Sequence, residues 1–323
     1  MKRFRRWFLR LLGWLVVLVL AALAVIGWLG SSHLVSPERR VLQGYHRQIL
    51  SDPADFGLAV DRWSGPADTP ALVVTASAAP GTARKARELR RLIPDAPRWA
   101  STVGTVVLLH GHRGRKEDLL PVCERFCAAG FRCVVIDLPG HGDHPSRFAT
   151  FGHEEVGLLG EIRNAFPDDH PCFLFGMSQG GAIALQAAAS QPERWSGVIS
   201  VAAFATLDEA LMSSARDFHP VARPLSPLLA MSVAIATRCR AGFFPAAIRP
   251  IDAAGALDLP VLLVHGGADR FIPVEHARRL HRALPSPRKD LLIIDGAGHG
   301  RVLAADAANT YAACARFMLQ AAE

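Results

Sequence analysis

The residues with the most chemical meaning surround Ser178, in the run Phe173-Leu174-Phe175-Gly176-Met177-Ser178-Gln179-Gly180-Gly181. Phe173 to Phe175 read as a buried strand and Ala182 to Ala189 as strong helix formers, which sets Ser178 at a sharp strand-to-helix turn. A serine held there has its hydroxyl thrust out of the sheet edge, and Gly176 and Gly180 let strand and helix pass closely with no Cβ between them. The chemistry open to such a residue is nucleophilic attack on a carbonyl carbon, with transient acylation of the serine. Five residues of pattern are weak by themselves, so the surrounding elements must carry the argument.

Those elements have a regular rhythm. After strand candidates at 57–60 and 71–74, a turn-rich pair that reads as a hairpin, and a basic, helical 83–91, apolar strands alternate with amphipathic helices. Val106-Val107-Leu108-Leu109 ends at His110-Gly111-His112-Arg113-Gly114, and a helix over 119–129 follows. Cys133 to Ile136 ends at Asp137-Leu138-Pro139-Gly140-His141-Gly142, and a helix over 153–166 leads to the strand of Ser178. Val198 to Val201, Val261 to Val264 and Leu291 to Ile294 are three further strands, the last two ending at His265-Gly266-Gly267-Ala268-Asp269 and Gly296-Ala297-Gly298-His299-Gly300. Continuous apolar strands separated by helices predict an α/β domain with a mostly parallel sheet covered on both faces. The stretch 206–258, with Pro220, Pro224, Pro227, Pro245 and Pro250 around an apolar segment, breaks the rhythm and reads as a helical cap inserted between strands.

From about 103 to 320 the chain resembles an α/β-hydrolase. The resemblance rests on the His110, Asp137, Ser178 and Asp269 strand ends and on Gly298-His299-Gly300, with Ser, Asp and His in that family's order. It implies an eight-stranded-type sheet, an acid-base partnership of Ser178 with His299 and Asp269, and an oxyanion hole made by the backbone N–H groups of Gln179 and His112. Imidazole takes the serine proton and returns it to the leaving group, and the carboxylate fixes the useful tautomer. Met177 stands where the family often has His, and Gln179 where Met is common; neither removes a reacting group. Asp208 is the alternative acid. A serine nucleophile implies carboxylic ester hydrolysis of a small-molecule acyl substrate, with amide, peptide or thioester cleavage as the nearer rivals and a non-catalytic membrane-tethered binding protein as the distant one.

Composition limits the remaining classes. The net charge of +7 falls to +2 once Lys2, Arg3, Arg5, Arg6 and Arg10 are set aside, and no basic stripe with interleaved aromatics points to nucleic acid. Leu11 to Leu29 contains no charged side chain and would span about 28 Å as a helix, close to a hydrocarbon core. The expected organisation is a basic flank and transmembrane helix over 1–30, a connector over 31–55 and the hydrolase domain over 56–323. The five leading cations put the N-terminus in the cytoplasm and the domain on the far side. Signal cleavage after Ala22-Leu23-Ala24, giving a secreted protein, is the competing expectation, and Arg5-Arg6 resembles a twin-arginine export signal.

Six cysteines, at 123, 127, 133, 172, 239 and 314, lack zinc-type doublets, and most read as packed thiols. His110, His112, His141, Asp143 and His144 superficially resemble a metal cluster but are split between two strand ends, so no metal and no cofactor is expected.

Overall fold

The computed structural model describes residues 2–167, 170–218 and 224–322. Helix α1 runs over Lys2–Val35 and α2 over Gly44–Ser51; strands β1 (Leu58–Ser64) and β2 (Pro70–Ala76) then form the expected antiparallel hairpin, followed by α3 (Arg84–Leu92). β3 (Gly104–Leu109), α4 (Leu120–Ala128), β4 (Phe131–Ile136), α5 (Glu155–Asn164), β5 (Cys172–Met177), α6 (Gln179–Ser190) and β6 (Gly197–Val201) continue in alternation. Among the described residues, three α-helices stand between β6 and the next strand: α7 (Leu207–Phe218), α8 (Ser226–Ala241) and α9 (Pro250–Ala254). β7 (Val261–Gly266), α10 (Glu275–Ala283), β8 (Lys289–Ile294), α11 (Val302–Ala305) and α12 (Ala307–Ala322) complete the chain. Pro220, within the expected cap, lies outside the described residues.

The eight strands form one sheet in the order β1-β2-β4-β3-β5-β6-β7-β8, antiparallel at β2 and parallel from β4 onward. Alternate residues of each buried strand feed opposite faces. Val107 and Leu109 join the core under α5, α6 and α10, whereas Val106 and Leu108 join the core under α3, α4 and α12. Register keeps the strand ends level: Leu109 pairs with Ile136 and Gly176, Met177 with Val201, and Val201 with Val264. Loops leaving those ends therefore share one edge, where residues distant in sequence meet.

The N-terminal boundary differs from the sequence expectation. α1 does not end near residue 30 but continues to Val35, and Ser31, Leu34 and Val35 are buried. The segment is tied down: Ala149 N–H donates to the Val35 carbonyl (2.8 Å), and Arg39 donates to the carbonyls of Gly142 (3.1 Å), His144 (2.6 Å) and Ser146 (2.9 Å). Its polar Ser31-Ser32-His33 read as a connector because their partners lie far away in sequence. The preceding turns are exposed, apolar and long enough to cross a membrane, the one such helix among the described residues.

All six cysteines are free; five are buried and Cys239 is exposed.

Candidate active site

Ser178 occupies the turn between β5 and α6 with φ 53° and ψ −112°, a left-handed conformation that a non-glycine residue adopts only when its surroundings impose it. Those surroundings are close. A Cβ at Gly176 would collide with the Gly180 backbone, and one at Gly180 with the Leu109 carbonyl. The Ser178 N–H donates to Val201 O at 2.7 Å, which locks the turn to β6.

The loops after β7 and β8 bring Asp269 and His299 to the same place. His299 Nδ1 lies 2.7 Å from Asp269 Oδ2, and His299 Nε2 lies 2.9 Å from Ser178 Oγ. A carboxylate only accepts, so Nδ1 carries the proton, and the Nε2 lone pair accepts from the Ser178 hydroxyl. The other oxygen, Asp269 Oδ1, accepts from the Phe271 N–H (3.0 Å) and Ile272 N–H (2.9 Å), so the buried carboxylate is held on both sides. His265 Nε2–H donates to Ile272 O (2.8 Å) beneath it, and burial pushes the His265 pKa down. The imidazole of His299 is 24% exposed, enough to meet a substrate. Asp208, the alternative acid, forms no described contact with His299.

At the β3 end, His110 bridges two loops. Its Nδ1–H donates to Gly111 O (2.8 Å), and its Nε2 accepts from Leu138 N–H (3.1 Å). Gln179 begins α6, where first-turn N–H groups have no intrahelical acceptor. Among the described residues neither Gln179 N–H nor His112 N–H donates to a backbone carbonyl. His112 adds a contact that the sequence did not signal: its Nε2–H donates to Leu34 O (2.9 Å), joining this loop to the end of α1.

The histidines of the β3 and β4 loops are not separated, as the sequence suggested, but packed together. The His141 ring lies 5.1 Å from that of His110 and 5.5 Å from that of His112, both edge-on. Burial, together with the neighbouring His110, lowers the His141 pKa to about 2, and burial pushes His110 and His112 down as well. Each spends a ring nitrogen on a backbone carbonyl, and among the described residues no group of three His, Cys, Asp or Glu is arranged to hold a metal ion. Behind them Asp137, fully buried, accepts from Lys116 N–H and Lys116 Nζ (both 2.7 Å) and from Asp143 N–H (2.9 Å). This ion-paired brace fixes the two loops against each other.

Two cavities meet at Ser178. One, of 240 Å³, is apolar, its walls supplied by Phe151, Phe204 and Leu211 and, unexpectedly, by Gly30, His33 and Leu34 of α1. The other, of 470 Å³, is more polar and includes Arg40, Tyr45, Arg113 and Asp118. Asp118 is the carboxylate there, and it is already engaged by Arg40 (3.2 Å), His46 (2.9 Å) and the Tyr45 hydroxyl (3.1 Å).

This sheet order, with a serine elbow at the end of β5, defines the α/β-hydrolase fold. A family model described as serine aminopeptidase, S33, matches residues 100–241 and 230–303, and the chain belongs to that family. A pimeloyl-[acyl-carrier protein] methyl ester esterase of Neisseria meningitidis is 29% identical over 257 residues, covering 68% of this chain and 92% of the relative. A monoacylglycerol lipase of Mycolicibacterium smegmatis is 28% identical over 227 residues, covering 61% of this chain and 81% of the relative. Among solved structures, an esterase of Pyrococcus furiosus superposes with a TM-score of 0.65 at 16% identity, over 90% of this chain and 99% of that one, a likeness of fold. The chain is a serine hydrolase of the esterase and lipase type.

Proposed function

We propose that the protein hydrolyses carboxylic esters through an acyl-enzyme on Ser178, with His299 as general base and acid and Asp269 as its orienting carboxylate. The observation that carries this reading is the continuous chain Asp269–His299–Ser178, with links of 2.7 and 2.9 Å. As Ser178 Oγ bonds to the acyl carbon, its proton passes to His299 Nε2. The tetrahedral oxyanion accepts from the Gln179 and His112 N–H groups, each donor lowering the barrier by about 3–4 kcal/mol. Collapse expels the alcohol, which takes the proton from His299; water then repeats the sequence and frees the acid.

Two features favour esters over the free amino termini suggested by the family's description. Holding an ammonium next to Ser178 requires a carboxylate, and among the described residues the apolar cavity has none, while Asp118 in the polar cleft is neutralised. The apolar cavity suits the acyl chain and the polar cleft the departing alcohol. Helices α7 to α9 of the 206–258 segment act as the cap; Leu207, Ala210 and Leu211 of α7 line the acyl cavity. α1 serves as an uncleaved anchor, N-terminus in the cytoplasm, with residues 56–323 on the far side.

The test is hydrolysis of p-nitrophenyl esters of graded chain length by the wild type and by Ser178→Ala and His299→Ala. Both variants should keep the fold and lose about a millionfold in kcat. Turnover retained in Ser178→Ala would contradict the mechanism.

A further inference from the structure

Among the described residues, helix α8 has an exposed apolar face. Leu225, Leu228, Met231 and Ile235 are about half exposed, and their spacing of three or four residues puts them on one side of the helix. The other side lies against α1. The approach is close enough that a Cβ on Gly27 would stand 2.5 Å from Ser232 O, and one on Gly30 2.5 Å from the Val233 side chain. Small residues at such a crossing let two helix backbones nearly touch.

The direction of α8 sets where its apolar face lies. Both helices end C-terminally in the core, α1 at Val35 and α8 just before the buried Phe243. Their contacts rise together along the chain, Gly27 with Ser232 and Ser31 and Ser32 with Arg240. The two are therefore parallel, and the N-terminal half of α8 runs outward beside the apolar turns of α1. Arg240, stacked 4.4 Å over Trp28, marks the level where both helices become polar, and Arg with Trp is the pairing found at a membrane's headgroup layer. Gly30 and His33, which wall the acyl cavity, lie about 1.5 and 6 Å along the helix axis past Leu29, the last apolar residue of the span.

We infer that α8 is a second membrane-contacting element, its Leu225–Ile235 face seated in the lipid bilayer beside α1, and that the acyl cavity takes single-chain esters directly from that bilayer. This rests on the anchor and serine-nucleophile readings above. The occupant is a bilayer because the face is continuous with the exposed apolar surface of a membrane-length helix. A single chain follows from the cavity's 240 Å³, below the roughly 300–1,000 Å³ of usual ligand sites.

The test uses the full chain in phosphatidylcholine vesicles, in a Cys239→Ser background. An environment-sensitive fluorophore at Met231→Cys should be quenched by brominated lipid at least about fivefold more than one at the exposed Asp290→Cys. Equal quenching at the two sites would overturn the inference. In a second arm, Leu228→Asp with Met231→Asp should lower hydrolysis of monooleoylglycerol held in vesicles about tenfold while sparing water-soluble p-nitrophenyl acetate. Unchanged vesicle turnover would overturn it too. Should the double substitution unfold the cap and reduce both activities, the quenching measurement decides. Failure of the nucleophile reading shows separately, as vesicle hydrolysis surviving Ser178→Ala, because quenching needs no turnover.

Discussion

Asp269 divides its carboxylate between two tasks. Oδ1 is fixed by two backbone N–H groups, so Oδ2 is presented to His299 without freedom to turn away. Asp269→Asn keeps the shape but offers an amide where the imidazole needs an acceptor, and kcat should fall about 10⁴-fold. Ester-hydrolysis kinetics check this, and a loss under tenfold would give the orienting role to another residue. The other histidines set a pH limit. Burial pushes His46, His110, His112, His141, His144, His265 and His276 below their usual 6.5, His141 to about 2. Each binds a proton less readily in the folded chain than in the unfolded one, so below about pH 6.5 the unfolded chain holds more protons and stability falls as the pH falls. Melts between pH 8 and pH 5 should show Tm dropping steadily below about pH 7, and less steeply in His141→Phe; a flat profile would contradict the neutral, buried cluster.

At the scale of elements, the strands were legible and one helix pairing was not. β3, β5, β6 and β7 are buried on both faces and so read as unbroken apolar runs, and β3, β5 and β7 end in motifs whose residues meet at the site. Ser178, Asp269 and His299 could be placed because level strand ends turn sequence order into spatial proximity. No such periodicity announces α1 against α8. Residues 27–35 meet a helix some two hundred positions later, and only Gly27 and Gly30 hint that another backbone comes close. The wall that α1 gives the apolar cavity, and the His112–Leu34 bond, were hidden for the same reason. Gly27→Ile should drive α8 away and destabilise the fold by about 1–3 kcal/mol. Gly13→Ile, with nothing within 4 Å of its new Cβ, should leave Tm unchanged. Equal melting temperatures would mean that the helices do not pack as described.

At the scale of the whole molecule, the N-terminal helix is joined to the candidate site. One continuous helix begins with five cations, runs through an apolar stretch, lines the apolar cavity beside Ser178 and ends bonded to the loop that carries a proposed oxyanion donor. Full-length protein should remain in the membrane fraction through high-salt and carbonate washes, with its first segment uncut by mass spectrometry; an N-terminus near Val25 would instead reveal a cleaved signal. The central claim, that Ser178 is an activated nucleophile, is tested most directly by labelling the folded, membrane-reconstituted enzyme with a fluorophosphonate. Stoichiometric labelling at Ser178, abolished in Ser178→Ala and insensitive to chelator, is the predicted result; an unlabelled folded enzyme, or label surviving in Ser178→Ala, would contradict it.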